Sequence, residues 1–268
     1  MNKVKKFYEI YKKNGVLEAF KILVSYYFFS TTNIKEFAFN KSLDVKKDIQ
    51  TKYNFSGDLL DFFVETEAVN KWHHYIPLYD KYFSTFRGRK IKILEIGVSK
   101  GGGIKMWRKY FGDKAIIFGI DINPECATID LPECQIRIGS QTDEKFLDSV
   151  IKEMGGDLDI ILDDGSHRMD HIQKSLKILF PKLNERGIYV IEDLHTAYFS
   201  DFSGGYKSKL NFFNLVRDLI DDMHIHYHKK LSKEPLISEM CSGIHVHDSI
   251  VFLEKAKIYK PTFSKIVS

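Results

Sequence analysis

"LEIGVSKGGGIKMW", Leu94 to Trp107, decides how this chain folds: a short apolar run ends in a glycine-rich turn, and an amphipathic segment follows. Glycines let a backbone turn tightly and approach a ligand, and the helix behind them offers unpaired amides. The dinucleotide pattern G-x-G-x-x-G is not met, because Gly97 is separated from Gly101, Gly102 and Gly103 by the wrong spacing and Ser99 stands between. An acid just before the loop, Glu95, suits a ligand that carries an amino group. Glu95, Gly97, Ser99 and Gly101 are therefore the first candidate ligand contacts.

Outward from this stretch the pattern repeats. The runs "IKILEIGV", "AIIFGIDI", "QIRIG", "LDIILDD" and "GIYVIEDL" alternate with helical segments such as "EKFLDSVIKEM" and "HIQKSLKILFPKL". That alternation predicts a parallel sheet with helices on both faces. Near the end, "HIHYH" at 224–228 and "GIHVHDSIVFLEK" at 243–255 alternate with period two on either side of a loop containing Pro235, which predicts a closing antiparallel pair. Five parallel strands and such a pair make the α/β, Rossmann-like, seven-stranded sheet of a class I methyltransferase.

The composition sets the outer bounds. With 268 residues, 44% hydrophobic and 28% charged, the chain can bury a sizeable core. Residues 1–60 read as a helical appendage and 61–268 as the catalytic domain. The net charge of +4 comes from lysines clustered at the two ends, too weak a signal for nucleic acid. Three cysteines without C-x-x-C spacing fit a reducing compartment, so a cytoplasmic location is expected. "AFKILVSYYFF" at 19–29 is about half the ~20 residues of a membrane span and contains Lys21. It predicts packing on the domain or a peripheral membrane contact, and its "YYFF" predicts a homo-oligomer.

Chemistry collects where the strands end, the edge at which open α/β sheets bind ligands. Asp121 closes the second run and suits ribose hydroxyls. Ser140 and Gln141 in "GSQTD" close the third and are placed to flank an adenine. Together with the glycine turn these suggest S-adenosylmethionine. "ILDDGSHRMD", Ile161 to Asp170, and "VIEDLHT", Val190 to Thr196, then bring Asp163, Asp164, Glu192, Asp193, His167 and His195 into one region. So many carboxylates repel one another unless a cation sits among them, and hard oxygen ligands without cysteine favour Mg²⁺. Asp163 is equally readable as a cap of the helix starting near Asp170.

A divalent ion makes an oxygen acid easier to ionise, and a histidine three residues past Asp164 is placed to take the proton, so His167 is the candidate base. His73 and His74 in "WHHY", with His195, Tyr198 and Tyr206, are candidate substrate contacts; the tyrosines lie in the long loop after the fifth strand. His224, His226 and His228 would share one face of a strand, but no acid or thiol at ligand spacing accompanies them, and an ordinary strand is preferred to a zinc site.

From about Asn70 to Gly205 the chain resembles the metal-dependent sugar O-methyltransferases typified by the macrolide deoxysugar enzymes. The likeness rests on "NKWHHYIPLYDKYF", "KILEIGVSKGGGIKMW", "FGIDI", "GSQTDEKFLD", "DIILDDGSH" and "YVIEDLHTAY". It implies S-adenosylmethionine at the glycine turn, Mg²⁺ on Asp164 and Asp193 with Glu95 or Glu192 nearby, and His167 as general base. Set beside the macrolide enzymes, the glycine loop looks shorter, and the N-terminal region does not suggest their large auxiliary domain. A macrolide substrate is therefore not expected; a nucleotide-linked sugar, with GDP-heptose or GDP-deoxyhexose as the sharper form, for surface polysaccharide synthesis is. The competing expectations are a metal-dependent hydrolase on the same carboxylates and a non-catalytic nucleotide-binding module of an assembly complex.

Overall fold

The structure is a computed structural model that describes residues 11–12, 15–17, 20, 43–131, 133–228 and 236–266. "YYFF", most of the 19–29 run and Pro235 lie outside the described residues. Helices α1 (Val45–Tyr53), α2 (Asp58–Glu65) and α3 (Tyr75–Phe83) precede strand β1 (Lys92–Ile96) and α4 (Gly102–Phe111). Then follow β2 (Ile116–Asp121), β3 (Cys134–Ile138), α5 (Glu144–Glu153), β4 (Leu158–Asp163) and α6 (Met169–Leu179). The chain continues through β5 (Leu183–Ile191), α7 (Phe212–Met223), β6 (Cys241–His247) and β7 (Ile250–Lys255). The seven strands form one sheet in the order β3-β2-β1-β4-β5-β7-β6. β1 to β5 are parallel, and β7 runs antiparallel to both β5 and β6.

The antiparallel pair is present, but its first member is not the expected one. Residues Ile225–Tyr227 of "HIHYH" form a short 3₁₀ turn, and "GIHVHDSIVFLEK" by itself folds back on Asp248 and Ser249 to supply both strands. The His224 and His228 rings bond the carbonyls of Ile220 and Asp221, so these histidines finish helix α7 rather than share a strand face.

Successive side chains of a strand point to opposite faces, and the sheet accordingly separates two cores. Ile93, Ile160, Leu162, Ile188 and Val190 pack with α1 to α4, while Leu94, Ile96, Ile161, Tyr189 and Ile191 pack with α5 to α7. The boundary expected after residue 60 falls inside α2. Ile49, Leu59 and Leu60 are fully buried in the same core as Trp107, so α1 and α2 pack into the core on that face of the sheet. Trp107 is the largest side chain of that core, edge-on to Tyr79 at 5.1 Å and to Phe83 at 5.7 Å. Trp107→Ala is expected to lower stability by about 3–5 kcal/mol, the usual cost of deleting a buried large aromatic. Urea unfolding followed by circular dichroism measures it, and a loss below about 1 kcal/mol would mean that the surrounding helices close over the space.

Candidate functional site

The strand ends place their acids by parity. Ile96 is in register with Asp163, and Asp163 with Ile191, so β1, β4 and β5 finish side by side. Glu95, Asp164 and Glu192 continue the alternation that faces α1 to α4. Asp163 continues the other and faces α6, where its carboxylate accepts from Ser175 Oγ at 2.6 Å, Gln141 Nε2 at 3.1 Å and Tyr189 OH at 3.2 Å. Asp163 and Gln141, both expected at the cofactor, thus form a buried brace, with Gln141 also accepting the Ser166 amide at 2.9 Å. Neither Asp163 nor Asp164 caps α6, whose N-cap position is Arg168.

The glycine turn is packed against its own chain. Gly97 has φ +94°, and a Cβ there would lie 2.1 Å from the Asp164 carbonyl oxygen. A Cβ on Gly102 would strike the backbone of Ala68 at 2.3 Å, and one on Gly103 would meet Glu95 Oε1 at 2.4 Å. These glycines therefore admit the 67–74 loop and the Glu95 carboxylate. Asp121 ties the turn down: Oδ2 accepts from the amides of Val98 and Ser99, and Oδ1 from that of Asn123. Burial works against its charge, but these amides outweigh it and hold its carboxyl below the usual range. Ser140 Oγ pairs with Thr142 at 3.0 Å.

On the other side of the turn, Lys71 enters the acid cluster. Its Nζ lies 2.6 Å from Asp164 Oδ2 and 2.8 and 3.0 Å from the two oxygens of Glu192, with only 3% of the side chain exposed. Burial disfavours its charge, yet Asp164, Glu192 and Glu95 outweigh burial and hold the ammonium well above the ordinary lysine range. Sequence reasoning called for a cation here and overlooked this one, since a lysine between Asn70 and Trp72 carries no spacing signal. The neighbouring residues act alike. Trp72 Nε1 donates to Asp193 Oδ1 at 2.9 Å, and the Tyr75 hydroxyl sits 3.3 Å from the same oxygen and 2.9 Å from the Ser249 carbonyl.

What remains free is a small triangle. His167 Nε2 lies 3.9 Å from Asp164 Oδ1 and 3.7 Å from Asp193 Oδ2. Among the described residues this is the one group of three acids, histidines or thiols whose ligand atoms all lie within 4.8 Å of one another. An octahedral Mg²⁺ at about 2.1 Å sets donors up to about 4.2 Å apart, so small movements of Asp164 and Asp193 would let these two hold one beside His167. His167 and Asp193 both have left-handed backbones, φ 53° and 54°, rare outside glycine. The Thr196 hydroxyl, 3.1 and 2.7 Å from their carbonyl oxygens, ties the two turns together. Strain of this kind gathers at functional sites.

The other candidates spread around this centre. His195 stacks edge-on to Trp72 at 5.4 Å and its Nδ1 lies 2.8 Å from Ser249 Oγ; burial lowers its basicity. His74 reaches the Asp248 carbonyl at 3.0 Å, while His73 turns away to Asp48 on α1 at 2.7 Å. Tyr198 and Tyr206 are each about half exposed. Glu95 is buried, and no hydrogen bond is made by its Oε2; burial pushes its carboxyl up to about 7 against the pull of Lys71. A buried acid with a free oxygen beside the glycine turn fits a ligand's amino group.

No family model matches the chain. It is 35% identical over 200 residues to an 8-demethyl-8-(2-methoxy-alpha-L-rhamnosyl)-tetracenomycin-C 3'-O-methyltransferase of Streptomyces olivaceus, covering 69% of this chain and 50% of that protein. Over a stretch of equal length it is 32% identical to the mycinamicin VI 2''-O-methyltransferase of Micromonospora griseorubida, covering 69% and 49%. The chain thus spans about half the length of the curated relatives it matches. Among solved structures it is similar to the MycE methyltransferase of mycinamycin biosynthesis in complex with Mg and SAH: TM-score 0.65, 28% identity, 81% of this chain and 55% of that one. A further MycE complex, which also holds mycinamycin VI, covers 96% of this chain at a TM-score of 0.64 and 26% identity. The sheet order, the strand-end acids and these matches converge: the chain belongs to the class I methyltransferases, in the group that contains the sugar O-methyltransferases.

Proposed function

We propose that this chain transfers a methyl group from S-adenosylmethionine to a sugar hydroxyl, with the help of a divalent cation. The observation that carries the reading is the convergence of Asp164, His167 and Asp193 at the ligand-binding edge of the sheet, in a chain whose relatives methylate sugars. When bound, the cation makes a hydroxyl more acidic and the sulfonium supplies the methyl group. Asp164 and Asp193 hold the cation. Glu95, Asp121 and the Gly97–Gly103 turn hold and orient the cofactor. His167 Nε2 takes the hydroxyl proton while the new oxygen–carbon bond forms and the sulfur–carbon bond breaks.

The relatives are named for sugars already attached to a polyketide. The finer reading, a nucleotide-linked sugar, therefore belongs in the acceptor panel beside glycosides. The deciding experiment incubates the chain with isotope-labelled S-adenosylmethionine, Mg²⁺ and that panel, followed by mass spectrometry. A labelled methyl ether supports the reading. Cleavage of an acceptor without cofactor binding would make the protein a hydrolase, and cofactor binding without transfer to any acceptor would make it a non-catalytic module.

Glu95 gives this reading a pH signature. Only its ionised form pairs with an ammonium, and burial pushes its carboxyl up to about 7. Cofactor affinity is expected to rise as pH rises from about 6 through about 7, with a proton released on binding below that point, and to fall again above about 8 as the ligand's α-ammonium loses its proton. Glu95→Gln should flatten the profile. Calorimetry in two buffers of different ionisation enthalpy measures both, and an equally steep rise in Glu95→Gln would remove Glu95 from the amino-group site.

A further inference from the structure

The turn between β6 and β7 reaches back to His195 through a residue that the roles given above leave unused. Ser249, the second residue of that turn, is 9% exposed and has a left-handed backbone, φ 63°, that glycine adopts more easily. Its carbonyl oxygen accepts from the Leu194 amide at 2.8 Å and from the Tyr75 hydroxyl at 2.9 Å. Its Oγ accepts from the His195 amide at 3.0 Å and lies 2.8 Å from His195 Nδ1.

A hydroxyl oxygen that accepts from an amide still has its own proton to place. Among the described residues, Nδ1 is the one acceptor within its reach. A ring nitrogen that accepts carries no proton, so the neutral imidazole holds its proton on Nε2. That nitrogen has no hydrogen-bond partner among the described residues and is not sealed in. Trp72 at 5.4 Å and Phe199 at 5.9 Å flank the ring edge-on, and it lies within electrostatic range of Asp193 and His167.

Resting on the methyl-transfer reading above, we propose that Ser249 is a positioning residue that fixes His195 as an Nε2–H donor, and that this donor binds a second oxygen of the acceptor sugar, beside the hydroxyl that reacts. The two histidines then divide the work. His167, facing Asp164 and Asp193, receives the proton of one hydroxyl. His195 offers a proton and removes none, so it orients the sugar ring without ionising it. The two bonds of the Ser249 hydroxyl also account for a serine where the backbone favours glycine.

The test labels the histidine rings of the whole chain with ¹⁵N and reads them by NMR at pH 8, where an ordinary histidine is neutral. His195→Gln assigns the His195 signals by their loss. Wild type is expected to carry the proton on Nε2. Ser249→Gly, which suits the left-handed backbone, should move the Nδ1 resonance because its donor is gone. Kinetics then use methyl α-L-rhamnoside, one glycoside of the panel, as the acceptor probe. His195→Phe keeps a ring against Trp72 and Phe199 but has no donor. Its KM for the probe should rise about three- to tenfold, the worth of one neutral hydrogen bond, with kcat within about twofold. His195→Gln places an amide donor near the position of Nε2 and should bring KM back to within about threefold of wild type. A merely structural role would give neither the moved resonance nor this split with its rescue.

A wild-type proton on Nδ1, or an Nδ1 resonance that Ser249→Gly leaves in place, overturns the proposal. So does an unchanged KM in His195→Phe, or a kcat lower by about 10²–10⁴, which would make His195 the base. Wild type that methylates no acceptor would sink the methyl-transfer reading instead, and the nitrogen spectrum would still decide what Ser249 does.

Discussion

Asp193→Asn is expected to lower turnover roughly a thousandfold, because a metal supplies several kcal/mol of transition-state stabilisation and each 1.36 kcal/mol is tenfold in rate. The substitution is chosen for its conservatism. Asparagine tolerates the left-handed backbone that Asp193 adopts, φ 54°, and its amide oxygen can still accept from Trp72 Nε1. Only the charge and the acceptor at the position of Oδ2, the oxygen facing His167, are lost. Chelation of the wild type should reproduce the effect, and added Mg²⁺ should reverse it. Steady-state rates at saturating cofactor, with circular dichroism to confirm folding, make the measurement. Undiminished turnover after chelation, with elemental analysis showing the metal gone, would refute the metal mechanism and leave the fold assignment intact.

His167→Asn should keep cofactor and metal yet lose about 10²–10⁴ in turnover, the usual contribution of a positioned proton acceptor. Asparagine again suits the left-handed backbone, φ 53°, so the loss reports on the imidazole and not on the turn. Calorimetry for the cofactor and Mn²⁺ titration should match wild type while kcat falls. A near-wild-type kcat would move the proton to His195 or to solvent. His195 is the less suited base, since burial disfavours its protonated form and Ser249 occupies its Nδ1.

Much of the site was legible because a parallel strand has a fixed period. Counting by two along "LDIILDD" separates Asp163 from Asp164, and along "GIYVIED" it puts Glu192 with Val190 and Ile188. Parity alone therefore sends Glu95, Asp164 and Glu192 to one face and Asp163 to the other. Parity does not say which strand-end residues meet a ligand, and Asp163 and Gln141, expected at the cofactor, bond each other beside α6. The misreading of "HIHYH" has a similar source: three alternating residues fit a strand, but α7 continues to Met223 and the next turn is wound by local carbonyl bonds.

The sequence by itself determined the five parallel strands, the glycine turn after the first, and the acids and histidine at the ends of the fourth and fifth. Each of these is a local pattern of apolar period, turn residue and charge. Only the tertiary structure decided what compensates those acids. Lys71 lies 93 residues from Asp164 and 121 from Glu192 in the chain, and it arrives because Gly102 has no side chain where Ala68 must pass. The same long-range packing drew residues 45–65 into the core. A charge in a buried site is balanced by whatever the fold brings within about 3 Å, and sequence spacing does not encode that distance.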